Sequence, residues 1–133
     1  MKQIILLGSI AYDYLMRFPG HFTDHILPEH LERLSLSFLV DDMRKERGGV
    51  AANIGYTMGL LGGNPLLFAT VGQDFDGYRE WLDRHGVDTS SVRVIEDKFT
   101  SSFFVTTDEG NRQIASFYAG AMADAAQLSL DGR

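Results

Sequence analysis

The chain has 133 residues, 44% hydrophobic and 23% charged, a balance that suits one folded domain and excludes a disordered or multidomain protein. A net charge of −6, with no basic run longer than Arg44-Lys45, excludes the electrostatic footprint of a nucleic-acid binder. The absence of cysteine excludes disulfides, thiolate catalysis and cysteine-ligated metals, and a reducing cytoplasm is the expected compartment.

The opening MKQIILLGSI carries an apolar run over residues 4–7 that stops at Gly8. It is too short for a signal-sequence core or a membrane span, and is expected to be a strand buried on both faces, as in a parallel sheet. Strands of another kind are expected at 14–18 and 34–40. In the second, Leu34, Leu36, Phe38 and Val40 share one face, so only one side is covered. Between them PGHFTDHILPEHLER reads as a surface excursion with a helical turn at most.

After the charged DDMRKER, the stretch RGGVAANIGYTMGLLGG predicts a helix over 50–61. Its apolar stripe would be Val50, Ile54, Met58 and Leu61, and Gly62-Gly63 with Pro65 would stop it. A short buried strand is expected at 66–71. Asp74 would then cap a helix over 75–85, with Phe75, Tyr78 and Leu82 inward and Gly86 as its stop. Strand, helix, strand, helix is the signature of a parallel α/β sheet. From residue 92 the pattern turns strand-rich, at 92–95, 101–107 and 111–118, the last two joined by DEGN as a hairpin. The tail AMADAAQLSLDGR begins something helical. The expected architecture is part of a larger α/β fold, a parallel sheet with flanking helices, plus a small antiparallel β lid from strands 14–18, 34–40, 101–107 and 111–118.

Two constellations carry candidate chemistry. At the start of the helix over 50–61, Asn53 lies over Gly49, beside Gly48 and the free N–H groups of the first turn, which together describe a cradle for a polar ligand. A plain glycine turn with a satisfied core asparagine is the alternative, and neither a Walker A loop nor GxGxxG opens the helix. In GSIAYD, Asp13 sits just beyond the carboxyl end of the first strand, where ligands of open parallel sheets bind. An ionised carboxylate only accepts hydrogen bonds and so suits a vicinal diol; a turn cap is the alternative role for Asp13. Phe103, Phe104, Phe117 and Tyr118 could sandwich a flat heterocycle or form the lid's own core. No metal is expected. VGQDFDG lacks the remaining ligands of a calcium loop, and His21, His25 and His30 lie in a proline-interrupted loop.

GSIAYD, the glycine pair followed by helix and asparagine, and VGQDFDG, in that order and spacing, resemble the N-terminal elements of the ribokinase-like PfkB carbohydrate kinases. LMRFPGHF, LSLSFLVDD and QIASFYAGAM are similar in particular to the bacterial adenosine kinases. The resemblance implies that Asp13 binds the ribose hydroxyls, that Gly48, Gly49 and Asn53 complete the sugar pocket, and that Ser9 touches the base. Phe103 and Phe117 would enclose adenine. Gly48-Gly49 would serve as a lid hinge, and the lid would form a homodimer. It further implies phosphoryl transfer from Mg-ATP to the ribose primary hydroxyl. Ribokinase activity or a non-catalytic nucleoside-binding or dimerisation module are the alternatives. Ala119 departs from the family's usual proline. No GAGD-like run occurs in the chain, so the catalytic aspartate, anion hole and ATP site are expected to lie in a C-terminal half absent here, leaving residues 1–133 inactive alone.

Overall fold

The structure, a computed structural model, describes residues 2–131. Strand β1 (Ile5–Leu7) runs directly into β2 (Ala11–Arg17), which rises out of the core and is answered by β3 (Asp42–Gly48). Helix α1 (Val50–Leu60), strands β4 (Leu66–Phe68) and β5 (Thr70–Gly72) and helix α2 (Asp76–Arg84) follow. The chain closes with β6 (Arg93–Ile95), β7 (Ser101–Thr107), β8 (Gln113–Tyr118) and a 3-10 segment over Gly120–Gln127. Among the described residues no helix is long and apolar enough to cross a membrane.

The core half holds two parallel pairs, β1 with β4 and β5 with β6, and the expected parallel α/β arrangement is present. The segment expected as one strand at 66–71 is two, because the chain leaves β1 at Phe68 and joins β6 from Thr70, staying buried throughout. Ile10, Tyr12, Ala52, Leu67, Val71, Phe75, Tyr78 and Leu82 form the centre of the core.

Helix α1 inverts the expected stripe. Val50, Ile54 and Leu61 are 66%, 46% and 83% exposed, whereas Ala51, Ala52 and Gly55 are buried. The reason is distance: a Cβ on Gly55 would come within 3.2 Å of Leu67 Cδ2, and one on Gly8 within 3.2 Å of Ala51 Cβ. Only small residues permit so close a seat, so the large side chains turn away. Strand β1, expected to be buried on both faces, leaves Ile5 and Leu7 exposed, since among the described residues it pairs only with β4. The helix stop holds, with Gly62 at φ +86° and the Gly63 N–H donating to the Met58 carbonyl at 2.9 Å.

The lid is a four-stranded sheet in the order β3-β2-β7-β8. Its outer pairs are antiparallel as expected, but β2 and β7 run parallel. The long connection between them, through both helices, is what makes a parallel pairing possible. Strand β2 begins at Ala11 rather than at residue 14. No strand forms over 34–40, and the lid's edge is instead β3, built from the charged DMRKERG. Seven consecutive pairs join it to β2, and an edge strand exposed on its flanks accommodates charge. The alternation in LSLSFLV has no free strand to pair with. Its Phe38 instead packs on Phe18 and Phe22, both ring centroids 5.0 Å away.

That aromatic tip is tied down by Asp108. Its carboxylate, buried at the start of the β7–β8 turn, accepts the N–H groups of Phe22, Gly110 and Arg112, each at 2.9 Å. Burial alone would push its pKa up, but the three N–H donors and Arg112 outweigh this and hold it below the ordinary 3.8. A depressed carboxylate stabilises the fold above its unfolded pKa and ceases to do so as pH falls through the folded one. Asp108→Asn is therefore expected to lower the melting temperature at pH 7, with the gap from the unsubstituted chain closing below pH 3.8, as thermal melts across pH would measure.

Candidate functional site

Cross-strand partners in a sheet point to the same face. The register places Asp13 on β2 opposite Glu46 on β3 and Phe103 on β7, and Phe103 opposite Phe117 on β8. Glu46, Asp13, Phe103 and Phe117 thus form one row across the inner face of the lid, acidic at one end and aromatic at the other. Asp13 lies within β2 rather than in the loop after β1, because that strand begins earlier than expected. Its carboxylate is half-buried and accepts no hydrogen bond from a described residue.

The row is rooted in the glycine pair. Gly48 ends β3 so close to Asp13 that a Cβ there would lie 2.7 Å from Asp13 Oδ2. Gly49 adopts φ +94°, and a Cβ on it would come within 2.5 Å of the Ser9 carbonyl oxygen and 2.6 Å of Ile10 Cα. Having no side chain, Gly49 cannot cap α1, and Ser9 does so from a distant part of the chain. Its Oγ accepts the Val50 N–H at 2.9 Å, and its carbonyl accepts those of Ala51 at 3.1 Å and Ala52 at 3.4 Å. Asn53 completes the first turn, its N–H donating to the Gly49 carbonyl at 2.9 Å. The exposed Asn53 amide makes no hydrogen bond to a described residue.

Ser9, Asp13, Gly48 and Gly49 therefore meet directly, with the turn bearing Asn53 attached to them and Phe103 and Phe117 in Asp13's row. The chemistry on offer is a free acceptor carboxylate, a free amide that both donates and accepts, and flat apolar surface alongside. Farther out on the same face, Leu15, Arg44, Val105, Thr107 and Gln113 line an open hollow of about 510 Å³. Another hollow, of about 280 Å³ and bordered by Tyr12, Lys45, Arg47 and Tyr78, lies behind the sheet and is no part of this face.

Sequence reasoning missed Glu46 and Arg44, because the lid edge was placed at 34–40; the residues flush against Gly48-Gly49 were the signal for the true strand. Asp74, expected to cap α2, does not do so. The helix starts at Asp76 with no side-chain cap, while Asp74 Oδ1 accepts the Thr100 N–H at 2.9 Å and its carbonyl accepts the Tyr12 hydroxyl at 2.8 Å. Among the described residues no three histidine or acidic side chains converge as a metal site.

A lid sheet over an α/β core, with an acidic and aromatic inner face rooted at a glycine-opened helix, is the architecture of the ribokinase-like fold. The chain belongs to the pfkB family of carbohydrate kinases, whose pattern it matches over residues 2–131. It is 34% identical over 122 residues to the nucleoside kinase of Methanothermobacter thermautotrophicus, covering 90% of this chain and 36% of that protein. Among solved structures, the ligand-free nucleoside kinase of Burkholderia thailandensis superposes with a TM-score of 0.79 at 42% identity, over 92% of this chain and 41% of that one. The same kinase in complex with inosine gives a TM-score of 0.74 at 38% identity, over 96% and 42% of the two chains. The chain thus spans well under half the length of these relatives.

Gly49→Ala places a Cβ against backbone in a conformation that L-residues disfavour, and is expected to cost about 2 kcal/mol or more. Urea denaturation of the variant checks it, with Gly62→Ala, where the same φ sign meets open space, as the milder comparison.

Proposed function

We propose that this chain is the nucleoside-binding and lid portion of an ATP-dependent nucleoside kinase, with adenosine as its preferred acceptor. The observation that carries the reading is the single row in which the unbonded Asp13 carboxylate, beside Gly48 and the α1 entrance, stands next to Phe103 and Phe117. The two ribose hydroxyls donate to Asp13, the Asn53 amide bonds the same rim, and the base stacks on the phenylalanines. Ser9, committed to α1 through its Oγ, borders the site from the strand side. The preference for a nucleoside over free ribose follows from the aromatic end of the row, which a sugar leaves uncovered. Family membership and the nucleoside kinases among the relatives agree with this class.

The phosphate donor, Mg-ATP, supplies the phosphoryl group for the ribose primary hydroxyl. No residue of this chain is assigned to it, and its site is placed in the additional length of the longer relatives. The part played by residues 2–131 is to bind and orient the acceptor and to exclude water when the lid closes. The enzyme would work in the cytoplasm.

Calorimetry with adenosine, inosine and ribose tests the acceptor site. Adenosine is expected to bind best and ribose worst, and Asp13→Asn to weaken adenosine by about tenfold or more, the worth of a charge-assisted hydrogen bond. No binding of either nucleoside, or an unchanged affinity in the variant, refutes the site. Phosphorylation of adenosine by this chain alone would refute the placement of the catalytic machinery elsewhere.

The outer face of the lid supports the second element of the reading, a homodimer. Register puts Met43, Phe104 and Ile114 on the side away from Asp13, and they are 61%, 38% and 43% exposed. Apolar surface of this kind on a sheet marks a contact with another chain. Sedimentation velocity is expected to find a dimer that Ile114→Lys disrupts, and a monomer at every concentration would contradict it.

A further inference from the structure

Gly48 is touched from both sides of the lid. On the inner face lies the Asp13 carboxylate, which no described hydrogen bond orients and which sits so close to Gly48 that a Cβ there would stand 2.7 Å from its Oδ2. From behind, the Tyr78 hydroxyl on α2 donates to the Gly48 carbonyl at 2.9 Å, and Tyr78 is only 2% exposed. The neighbouring residues on that outer side are bound to the same helix region. The Arg47 guanidinium sits 4.6 Å above the Trp81 ring and 6.0 Å from that of Tyr78. Opposite Arg47 in the register, Tyr12 donates to the Asp74 carbonyl at 2.8 Å. Trp81 in turn stacks on Tyr56 of α1, with centroids 4.3 Å apart. The roots of both β2 and β3 are thus fastened to α2 and the turn before it.

We propose that Tyr78 is a positioning residue for the nucleoside site: by holding the Gly48 carbonyl from behind the sheet it fixes the surface against which Asp13 rests, with the Arg47–Trp81 contact as the second fastening. A glycine pair has the widest choice of backbone conformation, and β3 is an edge strand, so the 48–49 peptide needs an outside tether to keep one orientation. Burial raises the pKa of Tyr78, and of Tyr12 to about 12, so both hydroxyls keep the proton they donate. The functional half of this inference rests on the nucleoside reading; the anchoring half does not.

Trp81 is the single tryptophan of the chain, which gives a direct readout. Without ligand, Arg47→Met is expected to shift Trp81 emission, and Tyr78→Phe to speed amide exchange over residues 47–50. If neither changes, the anchor is refuted whatever the chain binds. With adenosine, Tyr78→Phe is expected to lower affinity about tenfold, the equivalent of one buried hydrogen bond. In the Asp13→Asn background the same change should cost nothing further, because the two act through one contact. A Tyr78→Phe chain that melts earlier yet binds adenosine unchanged has lost only a structural bond, and that result overturns the positioning role. Failure of the unsubstituted chain to bind any nucleoside overturns the functional half, and the ligand-free measurements still decide the anchor.

Discussion

The close approach of Gly48 and Gly49 to the chain at Ser9–Ala11 is the constraint on which the molecule depends. There a strand of the lid ends, a core helix begins, and the link between β1 and β2 passes within van der Waals contact. Three requirements meet at that point. The helix needs acceptors for its first N–H groups, supplied by Ser9; the backbone needs a left-handed residue, supplied by Gly49; and Asp13 needs an uncluttered neighbour, supplied by Gly48. A side chain at Gly49 would displace backbone, and one at Gly48 would displace the Asp13 carboxylate, so a substitution at either position disturbs the junction or the site beside it.

The same preference for small residues runs on along α1. Ala51, Ala52 and Gly55 seat the helix against β1 and β4, which keeps the glycine pair level with the start of β2. The larger Val50, Ile54 and Leu61 face outward, and Ile5 and Leu7 of β1 are exposed as well, on the face of that strand opposite to Leu6, which points toward α1. The chain spans 41% of the ligand-free nucleoside kinase on which it superposes.

The lid solves a different problem. Its four strands project from the core, so its two faces are both accessible and can be given separate work. The period of two along each strand sorts the residues: Asp13, Phe103 and Phe117 to one side, Tyr12, Arg47 and Phe104 to the other. At the tip, Asp108 and the Phe18, Phe22 and Phe38 rings build a small separate core, which stiffens an element that the main core cannot reach.

Much of this was legible in the sequence because it depends on local rules. Gly62 and Gly86 stop their helices, β7 spans the residues expected of it, and Phe75, Tyr78 and Leu82 face inward, since turn chemistry and periodicity act within a few residues. The glycine pair with Asn53 and Asp13 could be singled out because a glycine-opened helix start and a carboxylate after a buried strand are places where ligands bind, although a plain turn and a capping role were open to the same residues. What the sequence could not decide was partnership. LSLSFLV alternates like a strand but stays irregular, while charged DMRKERG pairs along its whole length, because pairing depends on which edge is free and not on the segment's own pattern. The outward turn of the α1 stripe and the hydrogen bond from Tyr78 to Gly48 have the same origin. The order of residues by itself determined that a helix opened by two glycines follows a short apolar strand and an acidic residue; only the tertiary structure decided which face meets which neighbour, because close packing is settled by distances between segments remote in the chain.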